Sequence, residues 1–252
     1  METERTKEQL KRLSLHRIAE IFEEEAAKAS KVKTSYIGFL ARLVEEEVLA
    51  KTDRSINARI AKAKFPQIKT IEGFDFSFQP SIPEAFIKEL AELSFISFIG
   101  KAENVLFLGP PGVGKTHLSI ALGLKACEKR KRVLFTYANE LIEQLMAARV
   151  NGSFGKKLQI LGRLELLIID ELGYLPINKE GANLFFQLIS KRYEKGSIII
   201  SSNKPFEEWG EIFCDDVIAS AILDRLLHHS HIIAINGLSY RTKEKMGATS
   251  NN

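Results

Sequence analysis

The eight residues Gly109-Pro110-Pro111-Gly112-Val113-Gly114-Lys115-Thr116 restrict what this chain can become more than any other stretch does. They fit G-x-x-x-x-G-K-[ST], a loop whose backbone N–H groups turn inward around phosphate oxygens. Such a match has meaning only between a strand and a helix, and both flanks are present. Val105-Leu106-Phe107-Leu108 is a short apolar run of the kind that forms a buried strand. Thr116 to Glu128 carries Leu118, Ala121, Leu122 and Lys125 at helical spacing. Strand, glycine loop and helix together aim a helix N-terminus at an anion. Gly109 to His117 then form the cradle of a nucleoside triphosphate. Lys115 reaches the β- and γ-phosphates, and the Thr116 hydroxyl sits on Mg²⁺.

The rest of the chain is consistent with such a domain. From about residue 84 onward short apolar runs at 104–108, 132–137, 164–169, 197–202 and 231–235 alternate with helical patterns. That alternation predicts an α/β domain with a parallel sheet and helices on both faces. Residues 1–70 read instead as a small helical unit. Thr6-x-x-Gln9 resembles a capping box before an apolar stripe of Leu10, Leu13, Ile18, Ile21 and Phe22. A second helix follows Thr34-Ser35 with Tyr36, Phe39, Leu40, Leu43, Val44 and Val48 on one face and Glu45, Glu46 and Glu47 opposite. A third is expected from Arg54 to Lys64, stopping before Pro66. Between the two parts, Phe74, Phe76 and Phe78 lie among Pro66, Pro80 and Pro83, a linker expected to pack its rings on the domain that follows.

The two cysteines, Cys127 and Cys214, are far apart, which argues against a disulfide framework and fits a cytoplasmic protein. The charged start, Met1-Glu2-Thr3-Glu4-Arg5, is not a signal peptide, and no apolar run is long enough to span a membrane. A net charge of +4 permits a polyanionic partner without requiring one. The polar end, Met246 to Asn252, is expected to fray.

A second chemical signal is Leu166-Leu167-Ile168-Ile169-Asp170-Glu171. A buried strand ends there in two carboxylates, at the sheet edge where the phosphate loop must also lie. Asp170 is placed to hold the Mg²⁺ shell, and Glu171 to orient and polarise the attacking water. Asn203, after the strand Ser197–Ser202, could reach the γ-phosphate or that water. It could equally be a turn residue before Lys204-Pro205.

Together these residues resemble an AAA+ ATPase. More closely, Gly109–Thr116, Ile169-Asp170-Glu171-Leu172-Gly173-Tyr174-Leu175-Pro176 and Asn203 resemble the IstB family, ATP-binding helper proteins of insertion sequences that are related to the DnaC helicase loaders. The resemblance covers nearly the whole chain. It implies a helical N-terminal domain (1–70) for DNA or partner binding and an AAA+ domain (71–252) with a sheet of order 5-1-4-3-2. It also implies ATP as the nucleotide, self-assembly on duplex DNA and delivery of a transposase. Arg225, in Leu223-Asp224-Arg225-Leu226, resembles the arginine finger that acts in trans on a neighbour's ATP. Arg241, in Ser239-Tyr240-Arg241, resembles the sensor-two arginine that acts in cis. The extra helical insert of this branch maps to Asn139–Leu161, with Asn151 to Gly155 as a flexible tip.

Basic residues cluster in two places. Arg54, Arg59, Lys62 and Lys64 lie in the first, within 51–69. Arg149, Lys156 and Lys157 lie in the second, within 129–163. None of the side chains suggests a base-reading code, so phosphate-driven, weakly sequence-specific binding is expected. A helicase loader that binds single strands is the alternative, and a small-molecule P-loop kinase a more distant one. His228-His229-x-His231 lacks an accompanying carboxylate or cysteine set in the sequence and reads as a helix end entering a strand. Trp209 reads as a packing aromatic.

Overall fold

The computed structural model describes residues 2–96 and 101–242; the tail expected to fray at Met246–Asn252 lies outside the described residues. The backbone divides into two compact units, Met1–Ala58 and Arg59–Asn252.

The first unit is built from α1 (Glu2–Arg12), α2 (His16–Val32) and most of α3 (Tyr36–Ala63). The expected capping box is not one. Helix α1 begins at Glu2, and the Thr6 hydroxyl donates to the Glu2 carbonyl at 3.0 Å from inside the helix. The apolar stripe is also interrupted. Ser14 takes a positive φ of 58°, which closes α1 and puts Ile18, Ile21 and Phe22 on a separate helix. The predicted second and third helices are one, because Leu49 to Asp53 contains neither glycine nor proline to stop propagation. Glu47 corrects another expectation. It does not face solvent but is 3% exposed, where it accepts the Ile18 N–H at 2.9 Å. The first N–H groups of a helix lack internal partners, and a carboxylate there also meets the positive end of the helix dipole. Few apolar side chains are buried in this unit, and Tyr36, Leu40, Val44 and Val48 are exposed.

The second unit holds α4 (Glu84–Ala91), β1 (Asn104–Leu108), α5 (Lys115–Glu128), β2 (Val133–Tyr137), α6 (Ala138–Val150), α7 (Phe154–Gly162), β3 (Leu166–Leu172), α8 (Lys179–Arg192), β4 (Ser197–Ser202), α9 (Trp209–Phe213), α10 (Asp216–Leu227) and β5 (Ser230–Ala234). The sheet runs 2-3-4-1-5 with every pairing parallel, the expected order read from the other edge. Alternation sorts its residues into two cores. Leu106, Leu167, Ile169, Ile198 and Ile200 face α6, α8 and α10. Val105, Phe107, Leu166, Ile168 and Ile199 face α4 and α5. Strands buried on both faces explain the near-continuous apolar runs in the sequence.

The insert forms α6 and α7, joined by a turn at the expected tip. Asn151 Oδ1 accepts the Ser153 N–H at 3.1 Å, and Phe154 is buried. Arg192 anchors the far end of α7. Its buried guanidinium donates to the carbonyls of Leu161, Leu164 and Ser197, and burial lowers its pKa to about 9. Trp209 is fully buried, as expected of a packing aromatic.

Candidate nucleotide site

The glycine loop leaves β1 at its C-terminal end and enters α5. Gly112 and Gly114 hold φ values of 82° and 103°, which a residue with a Cβ adopts only at a cost. Space is also restricted, since a Cβ on Gly112 would come 2.0 Å from the Ser239 hydroxyl oxygen. The Lys115 ammonium folds back on its own loop, donating to the carbonyls of Gly109 at 2.6 Å and Pro110 at 2.8 Å. Burial lowers its pKa to about 8 and Arg241 adds to the fall, against the pull of Asp170 and Glu171. A cation desolvated in this way, with no carboxylate among its hydrogen-bond partners, is suited to an anionic ligand.

The carboxylates owe their positions to a bulge. Strand β3 extends to Leu172 rather than ending at 169. Its register against β4 slips between Ile169 and Leu172, so Asp170 and Glu171 together oppose Ser201. Glu171 carries the conformational cost, with φ at +61°. A bulge re-aims side chains beside a functional site. Here Ser201 serves both residues: its hydroxyl donates to Asp170 and accepts the Glu171 N–H at 3.0 Å. Asp170 also receives the Thr116 hydroxyl, at 2.8 Å to Oδ2. Burial nonetheless raises the Asp170 pKa. That of Glu171 is raised by burial and by the Asp170 charge.

These groups meet at a cleft of about 480 Å³ lined by Pro111 to His117, Glu171, Asn203 and Arg241, with Phe74, Gln79 and Tyr240 on the wall facing the loop. Two buried acceptors in its lining lack hydrogen-bond partners: Asn203 Oδ1 and Gln79 Oε1. Gln79 is 2% exposed, and its Nε2 donates to the Leu238 carbonyl at 2.8 Å, which leaves Oε1 as the amide's unpaired acceptor. Sequence reading missed Gln79, since a lone glutamine in a proline-rich linker carries no motif. His117 turns to the linker, its Nε2 2.8 Å from the Thr70 carbonyl and its ring edge-on to Phe74.

Arg225 stands apart. It donates to the Ala221 carbonyl at 2.9 Å, lies over the Phe186 ring at 4.7 Å and does not line the cleft. Two pairs from the two basic stretches meet. Arg59 Nε donates to the Arg130 carbonyl at 2.8 Å. Lys64 is close enough to Lys157 to help burial lower its pKa. Lys62, Arg149 and Lys156 are exposed. Arg54 belongs to the first unit and is paired with Glu47 at 3.1 Å. The histidine run does have an accompanying carboxylate: Glu194, remote in sequence, lies beside His228 and His229.

The sheet order, the glycine loop after β1 and the acidic pair at the end of β3 define a P-loop ATPase of the AAA+ class. The chain belongs to the IstB-like ATP-binding protein family, whose model matches residues 8–248. Among its relatives is the protein of insertion sequence IS21 from Pseudomonas aeruginosa, assigned as ATP-binding; it is 47% identical over 95% of this chain and 89% of its own. The corresponding protein of IS5376 from Geobacillus stearothermophilus is 48% identical over 96% of this chain and 95% of its own. Among solved structures, AMPPCP-bound DnaA from Aquifex aeolicus superposes with a TM-score of 0.58 at 20% identity; the match takes in 74% of this chain but only 55% of DnaA. DnaI gives 0.55 at 19% identity over 68% of this chain and 89% of its own. At these identities the likeness to the solved structures is one of fold.

Proposed function

We propose that this chain is a cytoplasmic ATPase that assembles with further copies of itself on duplex DNA when ATP is bound, and that the assembly directs the transposase of an insertion sequence to its target. The observation that carries the reading is the bulge at Asp170-Glu171 facing Thr116 and Lys115. Backbone N–H groups of residues 111–116 and the Lys115 ammonium would hold the phosphates. Thr116 and Asp170 would hold Mg²⁺, whose chemistry is to neutralise charge developing on the β- and γ-oxygens. Glu171 accepts a proton from the attacking water, and its raised pKa makes it a better base than a solvated glutamate. Asn203 Oδ1 fixes that water's orientation, and Arg241 lines the γ-phosphate side in cis. Gln79 Oε1 accepts from the adenine amino group, which guanine lacks at that position.

Arg225 has no role in the cleft of its own chain, in keeping with a finger that reaches a neighbour's nucleotide. Arg59, Lys62, Lys64, Arg149, Lys156 and Lys157 supply phosphate contacts on DNA, and Arg54 is a separate candidate within the first unit. The relatives' place in insertion sequences supports a transposase as the partner. The direct test of the chemistry is Glu171→Gln. It should bind ATP as wild type does and lose at least about a hundredfold in turnover, the scale of a general base. Unchanged turnover would remove Glu171 from the mechanism.

A further inference from the structure

A second site lies at the opposite end of the sheet from the glycine loop. The turn between α8 and β4 carries Glu194, and the turn between α10 and β5 carries His228 and His229. The His229 carbonyl accepts the Asn104 N–H at 2.8 Å, which fixes this turn to the start of β1. One ligand atom from each of Glu194, His228 and His229 lies within 4.8 Å of the others. We propose that these three side chains bind a divalent transition-metal ion of the zinc class, with the fourth position open to water.

The donor set is what such an ion prefers: two imidazole nitrogens and one carboxylate oxygen. The geometry is close to what is needed. Bonds of 2.0–2.1 Å in a tetrahedron put neighbouring ligand atoms about 3.3 Å apart. His229 Nε2 and Glu194 Oε1 are 3.4 Å apart. His229 Nε2 is buried and has no hydrogen-bond partner, so loss of any proton it carries would leave a lone pair facing the carboxylate for the ion to take. The His228 ligand atom lies within 4.8 Å of the others, so it must close by up to about 1.5 Å to reach that spacing. The Tyr193 hydroxyl lies 2.6 Å from His228 Nδ1. With Nδ1–H donating to that oxygen, Nε2 keeps its lone pair for the metal, the second-shell arrangement that sets a ligating histidine's tautomer. Lys101 competes for the site: its ammonium is 2.8 Å from Glu194 Oε1, so an ion binds only as the lysine withdraws from that oxygen. The ion would join the end of α8 to the end of α10, the helix that carries Arg225.

The test uses the untagged full chain with its nucleotide site filled by excess Mg²⁺ and ADP. Zn²⁺ is titrated calorimetrically, and Co²⁺ by its visible d–d bands. One ion per chain is expected, with the spectrum of a four-coordinate cobalt site. Glu194→Gln and His229→Gln should each weaken binding by more than tenfold, and Tyr193→Phe by about 10–100-fold through its second-shell contact. His231→Gln should change nothing, because that ring is engaged by Glu103. ADP binding by each variant shows that it is folded. Lys101→Ala is the sharpest arm. Removing the competitor should tighten Zn²⁺ up to about fivefold, the strength of an exposed ion pair. Absence of a one-to-one site, binding unaffected in Glu194→Gln and His229→Gln, or weaker binding in Lys101→Ala would each overturn the proposal.

Discussion

Replacing Lys115 with methionine removes a buried charge while keeping the side chain's length. The Lys115 pKa falls from 10.5 to about 8, a difference of 2.5 units that corresponds to about 3.4 kcal/mol of unfavourable burial of the ammonium. The loss of donors to the Gly109 and Pro110 carbonyls offsets about 1–2 kcal/mol, and solvent reaching the cleft screens part of the remainder. Without nucleotide, Lys115→Met should therefore be more stable than wild type by about 1 kcal/mol at pH 7. The direction with pH follows from the lowered pKa. Below pH 8 the lysine is protonated in both folded and unfolded chains, and the full penalty applies. Between pH 8 and 10.5 the folded chain releases its proton first, so the penalty disappears as pH rises. The gain in Lys115→Met should accordingly be complete at pH 7 and pass through zero before about pH 10.5, where the lost carbonyl contacts leave the variant the less stable. Urea unfolding at several pH values measures it, and added ATP should stabilise wild type alone. A variant less stable than wild type at pH 7, or a difference that does not move with pH, would refute the account of the buried ammonium.

Gln79→Ala should narrow the preference for ATP over GTP by about tenfold, the worth of one buried hydrogen bond; competition of unlabelled ATP and GTP against a fluorescent nucleotide reads it, and an unchanged ratio would remove Gln79 from base recognition. If Arg225 acts on a neighbour's nucleotide, turnover per subunit should rise with protein concentration, and mixing Arg225→Ala with Lys115→Ala should restore activity that neither has alone. Turnover independent of concentration in wild type would count against a finger in trans.

The sequence announces the site's chemistry more clearly than its geometry. Gly109–Thr116 and the Asp170-Glu171 pair are contiguous motifs whose spacing is itself the signal, and the inner strands are legible because they are buried on both faces; the edge strand β5, with Ile232 exposed, is legible from its short apolar run alone. What escaped depends on residues far apart in the chain. The bulge that places Glu171 arises from pairing between β3 and β4 and leaves no local mark. Gln79, Arg192 and Glu194 gain their significance from carbonyls, an orphaned acceptor or histidines contributed by other elements. Glu47 was misread because a run of three glutamates looks like a solvated face until the N–H groups of α2 are brought to it. The continuity of α3 differs from the expected separate helix from Arg54 to Lys64 because no residue between Leu49 and Asp53 stops a helix.

The proposed assembly requires DNA binding that depends on nucleotide. If each subunit supplies only a few phosphate contacts, as proposed, firm binding would need several subunits joined through ATP. The decisive measurement is affinity for duplex and single-stranded DNA with ATP and with ADP, over a series of salt concentrations. Tight duplex binding is expected with ATP alone, with a logarithmic salt slope of about −0.9 per phosphate neutralised. That slope should shrink in the Lys156→Ala, Lys157→Ala double variant for all duplex sequences alike. Tighter binding to single strands would point to helicase loading instead, and affinity indifferent to nucleotide and salt would contradict DNA assembly altogether.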